Sequence, residues 1–187
     1  MPGAIAKWSG ITLAITTLVA TLEAAAYEQA FSKTPVDMIE NRTLPAARLL
    51  VTEANGEYFE RSDGLFKHLF EYISDNNISM TVPVEGQLDR AEMRFHLGSD
   101  VAPALDQTDS VRVISVPSRR VVSIGGKGSY NESNARRLRE RLQSWLQAQN
   151  EWRAAGDPYA VFWNGPFTPW FMKRFEVHIP LALNSDR

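Results

Sequence analysis

The chain has 187 residues, 44% of them hydrophobic and 22% charged, and a formal net charge of −2 at pH 7. Such a chain fits one ordinary globular domain and has no general attraction to nucleic acid or acidic membranes. It holds no cysteine, which excludes a disulfide framework, a thiolate metal site, an iron–sulfur cluster, a cysteine nucleophile and a cofactor tethered through C-x-x-C-H.

Residues 1–26 read as a targeting segment. Lys7 supplies a positive start, Ile11 to Leu22 is apolar and uncharged, and Ala24 and Ala26 supply the small residues of an A-x-A cleavage site before Tyr27. The apolar run is about 12 residues, short of the roughly 20 that span a bilayer. The sequence thus predicts an exported protein, periplasmic or secreted, with no stable membrane insertion after cleavage. The alternative is an uncleaved anchor from Trp8 to Ala26.

Residues 27–187 predict a single domain that repeats itself, over about 36–98 and 109–181. Pro45, Arg48, Gly56, Tyr58 and Glu60 recur 72 residues later as Pro117, Arg120, Gly128, Tyr130 and Glu132. Each repeat begins with a short strand, around Val36 to Glu40 and Val111 to Val116. A second strand follows, from Pro45 to near Gly56 and from Pro117 to near Gly128. Helices are then predicted at about Phe59 to Asp75 and Asn131 to Asn150, with Phe66, Phe70 and Ile73 answered by Leu138, Leu142 and Trp145. A strand comes next, Ser79 to Gly86 and Pro158 to Trp163. The alternating runs Met93 to Leu97 and Phe175 to Ile179 close the halves. His96 and His178 lie 82 apart, so the second half gains ten residues between its helix and its last strand. The expected fold is α+β: duplicated β-β-α-β-β units forming a twisted, mainly antiparallel sheet or distorted barrel flanked by two helices.

Two segments carry a family likeness. Ile78-Ser79-Met80-Thr81-Val82-Pro83-Val84 resembles the M-T-x-P-V hallmark of the SOUL haem-binding family. Trp163-Asn164-Gly165-Pro166-Phe167-Thr168-Pro169-Trp170-Phe171-Met172-Lys173-Arg174-Phe175-Glu176-Val177 resembles that family's C-terminal block. The resemblance runs from Tyr27 through Leu181. It implies non-covalent binding of haem or a related porphyrin in a shallow groove beside the first helix, with no catalytic chemistry common to the family. Some members carry a histidine in the first strand, before the Pro-Ala pair; here Ile39 to Leu44 holds none.

With helices aligned at an offset of 72, Leu65, Leu69 and Tyr72 face Arg137, Arg141 and Ser144 of the second helix. The first helix then has an extra apolar wing, which either packs under a loop or lines the implied groove. His68, at the edge of that wing, is either a surface residue or a neutral imidazole within reach of an iron. His96 and His178 share a face with Arg94 and Glu176 and are expected to point outward. Phe167, Trp170, Phe171 and Met172 surround a proline in an unusually apolar loop, read either as a plug on the core or as a flap on a porphyrin face. Arg61, Lys67, Lys173 and Arg174 are either solvated or paired with propionates. Gly125 to Ser129 fails as a phosphate loop, and G-x-S-x-G and H-E-x-x-H are absent. The expectation is therefore a tetrapyrrole carrier, buffer or sensor with no catalytic site. The alternatives are a tetrapyrrole-modifying enzyme and a binder of other apolar small molecules.

Overall fold

The computed structural model describes residues 27–102, 104–165 and 167–184; the proposed targeting segment lies outside them. In chain order the elements are β1 (Glu28–Gln29), β2 (Ile39–Leu44), β3 (Ala47–Ala54), α1 (Tyr58–Asp75), β4 (Thr81–Val82), β5 (Val84–Gln87) and β6 (Ala91–His96). The second half continues with β7 (Arg112–Val116), β8 (Arg119–Lys127), α2 (Glu132–Gln147), β9 (Trp152–Ala154), β10 (Tyr159–Phe162), a 3-10 turn (Trp170–Met172) and β11 (Arg174–Leu183).

The main sheet runs β2-β8-β11-β10-β5-β6-β3-β7, with β9 added to β11. Its pairings are antiparallel. The junction of β10 with β5 is its middle. On one side lie β5, β6 and β3, and on the other their counterparts β10, β11 and β8. Each outer edge is closed by the opening strand of the other half, β2 on β8 and β7 on β3. The duplication read from the sequence is thus a twofold-like α+β half-barrel in which the halves exchange their first strands.

Both helices cover one face of this sheet. α1 packs on β6 and β3, and α2 on β11 and β8. The shared core contains Leu50, Phe95, Leu65 and Leu69 from the first half and Val122, Val177, Leu138 and Leu142 from the second. Gly56 and Gly128 end β3 and β8 with φ of 113° and 123°, backbone that a side chain resists. Asn131 caps α2, its Oδ1 accepting from the Asn134 amide at 2.9 Å.

The repeat changes step between strand and helix. Leu50 and Val122, like Gly56 and Gly128, stand 72 apart. Leu65, Leu69 and Ile73 reach the core where Leu138, Leu142 and Leu146 do, and these pairs stand 73 apart. One additional residue before α2 turns its sequence by about 100° relative to α1. The helix alignment expected from the sequence is corrected accordingly. Phe66 corresponds to Arg139 and Phe70 to Gln143, while Leu65 corresponds to Leu138. The strand expected from Ser79 to Gly86 is broken at Pro83 into β4 and β5. Much of the second half's gain lies in the loop Trp163 to Lys173, whose counterpart between β5 and β6 is only Leu88 to Arg90.

Candidate ligand-binding surface and buried polar cluster

The new helix register changes which α1 residues form an apolar excess. Leu65, Leu69 and Tyr72 are the core-facing centre of the helix, all buried, and the Tyr72 hydroxyl donates to the Asp106 carbonyl at 2.6 Å. The wing reading is thereby corrected: these three side chains pack against the sheet, and no open groove is lined by them. The excess is instead the flank of Phe59, Phe66 and Phe70, which α2 answers with Glu132, Arg139 and Gln143.

That flank carries two aromatic clusters, one around Phe66 and one around Phe59. The Phe66 ring stacks on Phe70, centroids 5.8 Å apart, and meets Phe95 edge-on at 5.4 Å. Phe70 is 48% exposed, although its neighbours on this side are rings. Phe59 meets Phe162 edge-on at 6.4 Å, and Phe162 lies 4.7 Å from Tyr130. The Tyr130 hydroxyl donates to the Arg174 carbonyl at 2.8 Å and accepts from the Asn164 amide at 2.9 Å. Burial pushes this phenol up to about 12, so it stays neutral. Lys173 Nζ sits 4.9 Å over the Tyr130 ring. Lys173, at the base of the long loop, thus sits at the Phe59 cluster, and Phe70 ends the Phe66 cluster. Arg139 of α2 reaches Asp89, in the turn after β5, so this flank of α2 looks across the middle of the sheet toward α1.

The other expected site residues are dispersed. His68 and Arg61 are exposed, and at 100° per residue His68 lies about 160° around the helix from Phe66. Arg61 Nε donates to the Asn55 carbonyl at 3.0 Å. Both flank Tyr72, away from the aromatic clusters and the long loop. Lys67 pairs with Glu71 at 3.7 Å. Phe167, Trp170, Phe171 and Met172 are all exposed, Phe167 at 98%, so the loop projects rather than plugging the core. Arg174 turns the other way, its Nη2 donating to the Thr34 carbonyl at 3.3 Å.

The opposite face of the sheet holds the charged groups that strand alternation had assigned to solvent. His96 is 5% exposed and His178 fully buried, which corrects the outward-facing expectation. His96 Nε2 lies 3.0 Å from Glu85 Oε1, and Arg119 Nη2 lies 2.7 Å from the same oxygen. Burial acts to raise the Glu85 carboxyl, but the His96 hydrogen bond and the charges of Arg119 and Arg94 outweigh it and hold it at about 2. In the other half His178 Nε2 lies 2.7 Å from Glu176 Oε2, and its Nδ1 lies 3.2 Å from the Tyr159 hydroxyl. Trp163 Nε1 and the Thr34 amide donate to Glu176 Oε1 at 2.7 and 2.8 Å, and Thr34 Oγ1 donates to Oε2 at 2.8 Å. Burial opposes ionisation of Glu176, but these donors and His178 lower its pKa.

The cover over this cluster is the strap from β1 to Asp37. Phe31 touches the rings of His96, Trp163 and His178 at 5.6, 5.4 and 5.9 Å. Farther along, a Cβ on Gly125 would lie 2.2 Å from the Pro35 carbonyl oxygen, so the strap passes directly over β8. Buried, covered and paired except at Glu85 Oε2, His96 Nδ1 and Arg119 Nη1, which have no hydrogen-bond partner, the cluster reads as structural. Among the described residues no group of His, Asp and Glu has an arrangement that could hold a metal ion.

The profile of the SOUL heme-binding protein family matches residues 22–180. The chain belongs to that family. No curated protein matches it. Among solved structures, the SOUL chain resembles the C-terminal domain of EcmrR, with a TM-score of 0.62 and 12% identity over 78% of this chain and 97% of that one. It also resembles EcmrR in an EcmrR–DNA complex, at TM-score 0.63 and 11% identity, where 78% of this chain matches 57% of that one. A hydrolase from Listeria innocua matches at TM-score 0.55 and 13% identity, over 80% of this chain and 94% of that one. At such identities the likenesses show the fold alone.

Proposed function

We propose that this SOUL protein binds haem or a related porphyrin non-covalently on the Phe59–Phe66–Phe70 flank of α1, as a carrier, buffer or sensor. The observation that carries the reading is the exposed Phe70 ring stacked on Phe66, where the duplicate helix has Gln143 and Arg139. A flat macrocycle gains most from such flat apolar rings. Lys173 beside the Phe59 cluster and Arg139 on the facing flank of α2 suit two propionates. Haem, when bound, supplies a redox-active iron; the chain supplies packing and charge.

The residues fit the macrocycle better than they fit an iron. His68 lies on the other flank of α1, and His96 and His178 lie under the strap. The proposal is therefore that ferric haem and metal-free porphyrin bind with comparable affinity. Titrating the protein with haemin and with protoporphyrin, followed by Soret absorption and tryptophan quenching, tests this. Saturable binding of both with a time-stable Soret band supports the binder. A band that bleaches or shifts with time supports the tetrapyrrole-modifying enzyme instead, and binding of neither overturns the ligand.

A further inference from the structure

The projecting loop lies at one end of the sheet with several other features. β10 delivers the chain to it at Phe162 and β11 takes it away at Arg174. Phe162 pairs with Val84, the first residue of β5, and β4 just before it pairs with β1. The described chain therefore begins, at Tyr27, on this same end. β8 also ends here, at Lys127, opposite Arg174. Lys33 lies 5.1 Å over the Trp163 ring, and Lys173 closes the loop.

The tip itself is built to enter an apolar medium. Phe167, Trp170, Phe171 and Met172 are exposed side by side with no apolar cover, and Trp170 meets Phe171 edge-on at 5.9 Å. Backbone bonds from Thr168 to Gly165, Met172 to Pro169 and Lys173 to Trp170 satisfy amides within the loop, which lowers the cost of leaving water. Tryptophan and phenylalanine at a tip, with Lys33, Lys127 and Lys173 at the base of the loop, match the layering of a bilayer surface, with rings at the acyl boundary and cations at the headgroups. We infer that this end of the sheet docks on an anionic lipid surface, with Phe167, Trp170 and Phe171 inserted and Lys33, Lys127 and Lys173 against the headgroups. The docking shares only Lys173 with the proposed tetrapyrrole seat, and it does not rest on tetrapyrrole binding.

The absence of cysteine makes the test simple. In the full chain, Phe167→Cys carries a single nitrobenzoxadiazole label, and Asp157→Cys, at the opposite end of the sheet, carries the control. Each is mixed, without porphyrin, with vesicles of equal parts phosphatidylcholine and phosphatidylglycerol. The expected result is a blue-shifted, brighter emission at position 167, quenched by lipid-borne quenchers, with the control unchanged. Replacing Trp170 and Phe171 by serine should reduce the bound fraction's partition coefficient roughly tenfold or more, with the melting temperature unchanged because both rings are exposed. The inference is overturned by an emission at position 167 that stays as in buffer. It is equally overturned if the shift occurs without vesicles and grows with protein concentration, which would make a second copy the partner.

Discussion

Leu65 and Leu138 reach the same depth in the core under opposite halves of the sheet, 73 residues apart in a chain whose strands repeat at 72. That single step decides which face of α1 is core and which is available to a ligand. Leu69, one turn on, is fully buried. Leu69→Arg should therefore unfold or severely destabilise the protein, by about 3–5 kcal/mol, because an unpaired charge enters an apolar core. Urea unfolding checks this; a variant as stable as the wild type would move Leu69 out of the core and restore it as a groove residue.

The strap gives a second prediction. A Cβ at position 125 meets two backbone oxygens, Pro35 O at 2.2 Å and Thr34 O at 2.5 Å, neither of which can swing aside. Gly125→Ala should push the strap off β8 and loosen the two Thr34 hydrogen bonds to Glu176, with a cost of about 1–3 kcal/mol. Tryptic cleavage after Lys33 should accelerate before any other site. Wild-type cleavage kinetics would show that the strap is not held in this way.

Acid should weaken the same face. The folded Glu85 carboxyl, at about 2, lies below its ordinary value of 4.5, and Glu176 is lowered as well. Groups depressed on folding contribute fully above the unfolded value and lose that contribution as the pH falls through the folded one. The urea midpoint should be flat above pH ~5 and should fall between pH ~4.5 and ~2. Glu85→Gln should lower stability at neutral pH and flatten the acid slope. A wild-type midpoint that does not change over that interval would contradict the network described.

His68 provides the test of iron ligation. It is exposed on the flank opposite Phe66. His68→Ala should leave the Soret position of bound ferric haem and its affinity within about twofold of wild type, as for a surface substitution. A shifted band with intact binding of metal-free porphyrin would make His68 an axial ligand and would relocate the site to that flank.

Much of the architecture was readable from residue patterns, since the repeated Pro, Arg and Gly positions mark β3 and β8 and the apolar spacing marks both helices. Helix register was not, because the pattern Phe66, Phe70, Ile73 is nearly as periodic as Leu65, Leu69, Ile73; only burial tells which side meets the sheet. For His96 and His178, alternation correctly grouped them with Arg94 and Glu176. It assigned their face to solvent because polar strand faces usually meet water, and nothing local announces that a strap far earlier in the chain, Phe31 to Asp37, lies across both halves. The loop's composition was legible, whereas its projection depends on the length by which it exceeds the β5–β6 turn.

The most direct test of the account is porphyrin affinity in Phe70→Gln, which gives α1 the residue that α2 carries at Gln143. Phe70 is half exposed, so the fold and melting temperature should be nearly unchanged. Protoporphyrin titration should show a loss of about 1–2 kcal/mol, roughly tenfold, from withdrawing one aromatic ring from the macrocycle. Wild-type affinity in this variant, with the fold intact, would contradict a tetrapyrrole seat on the aromatic flank of α1.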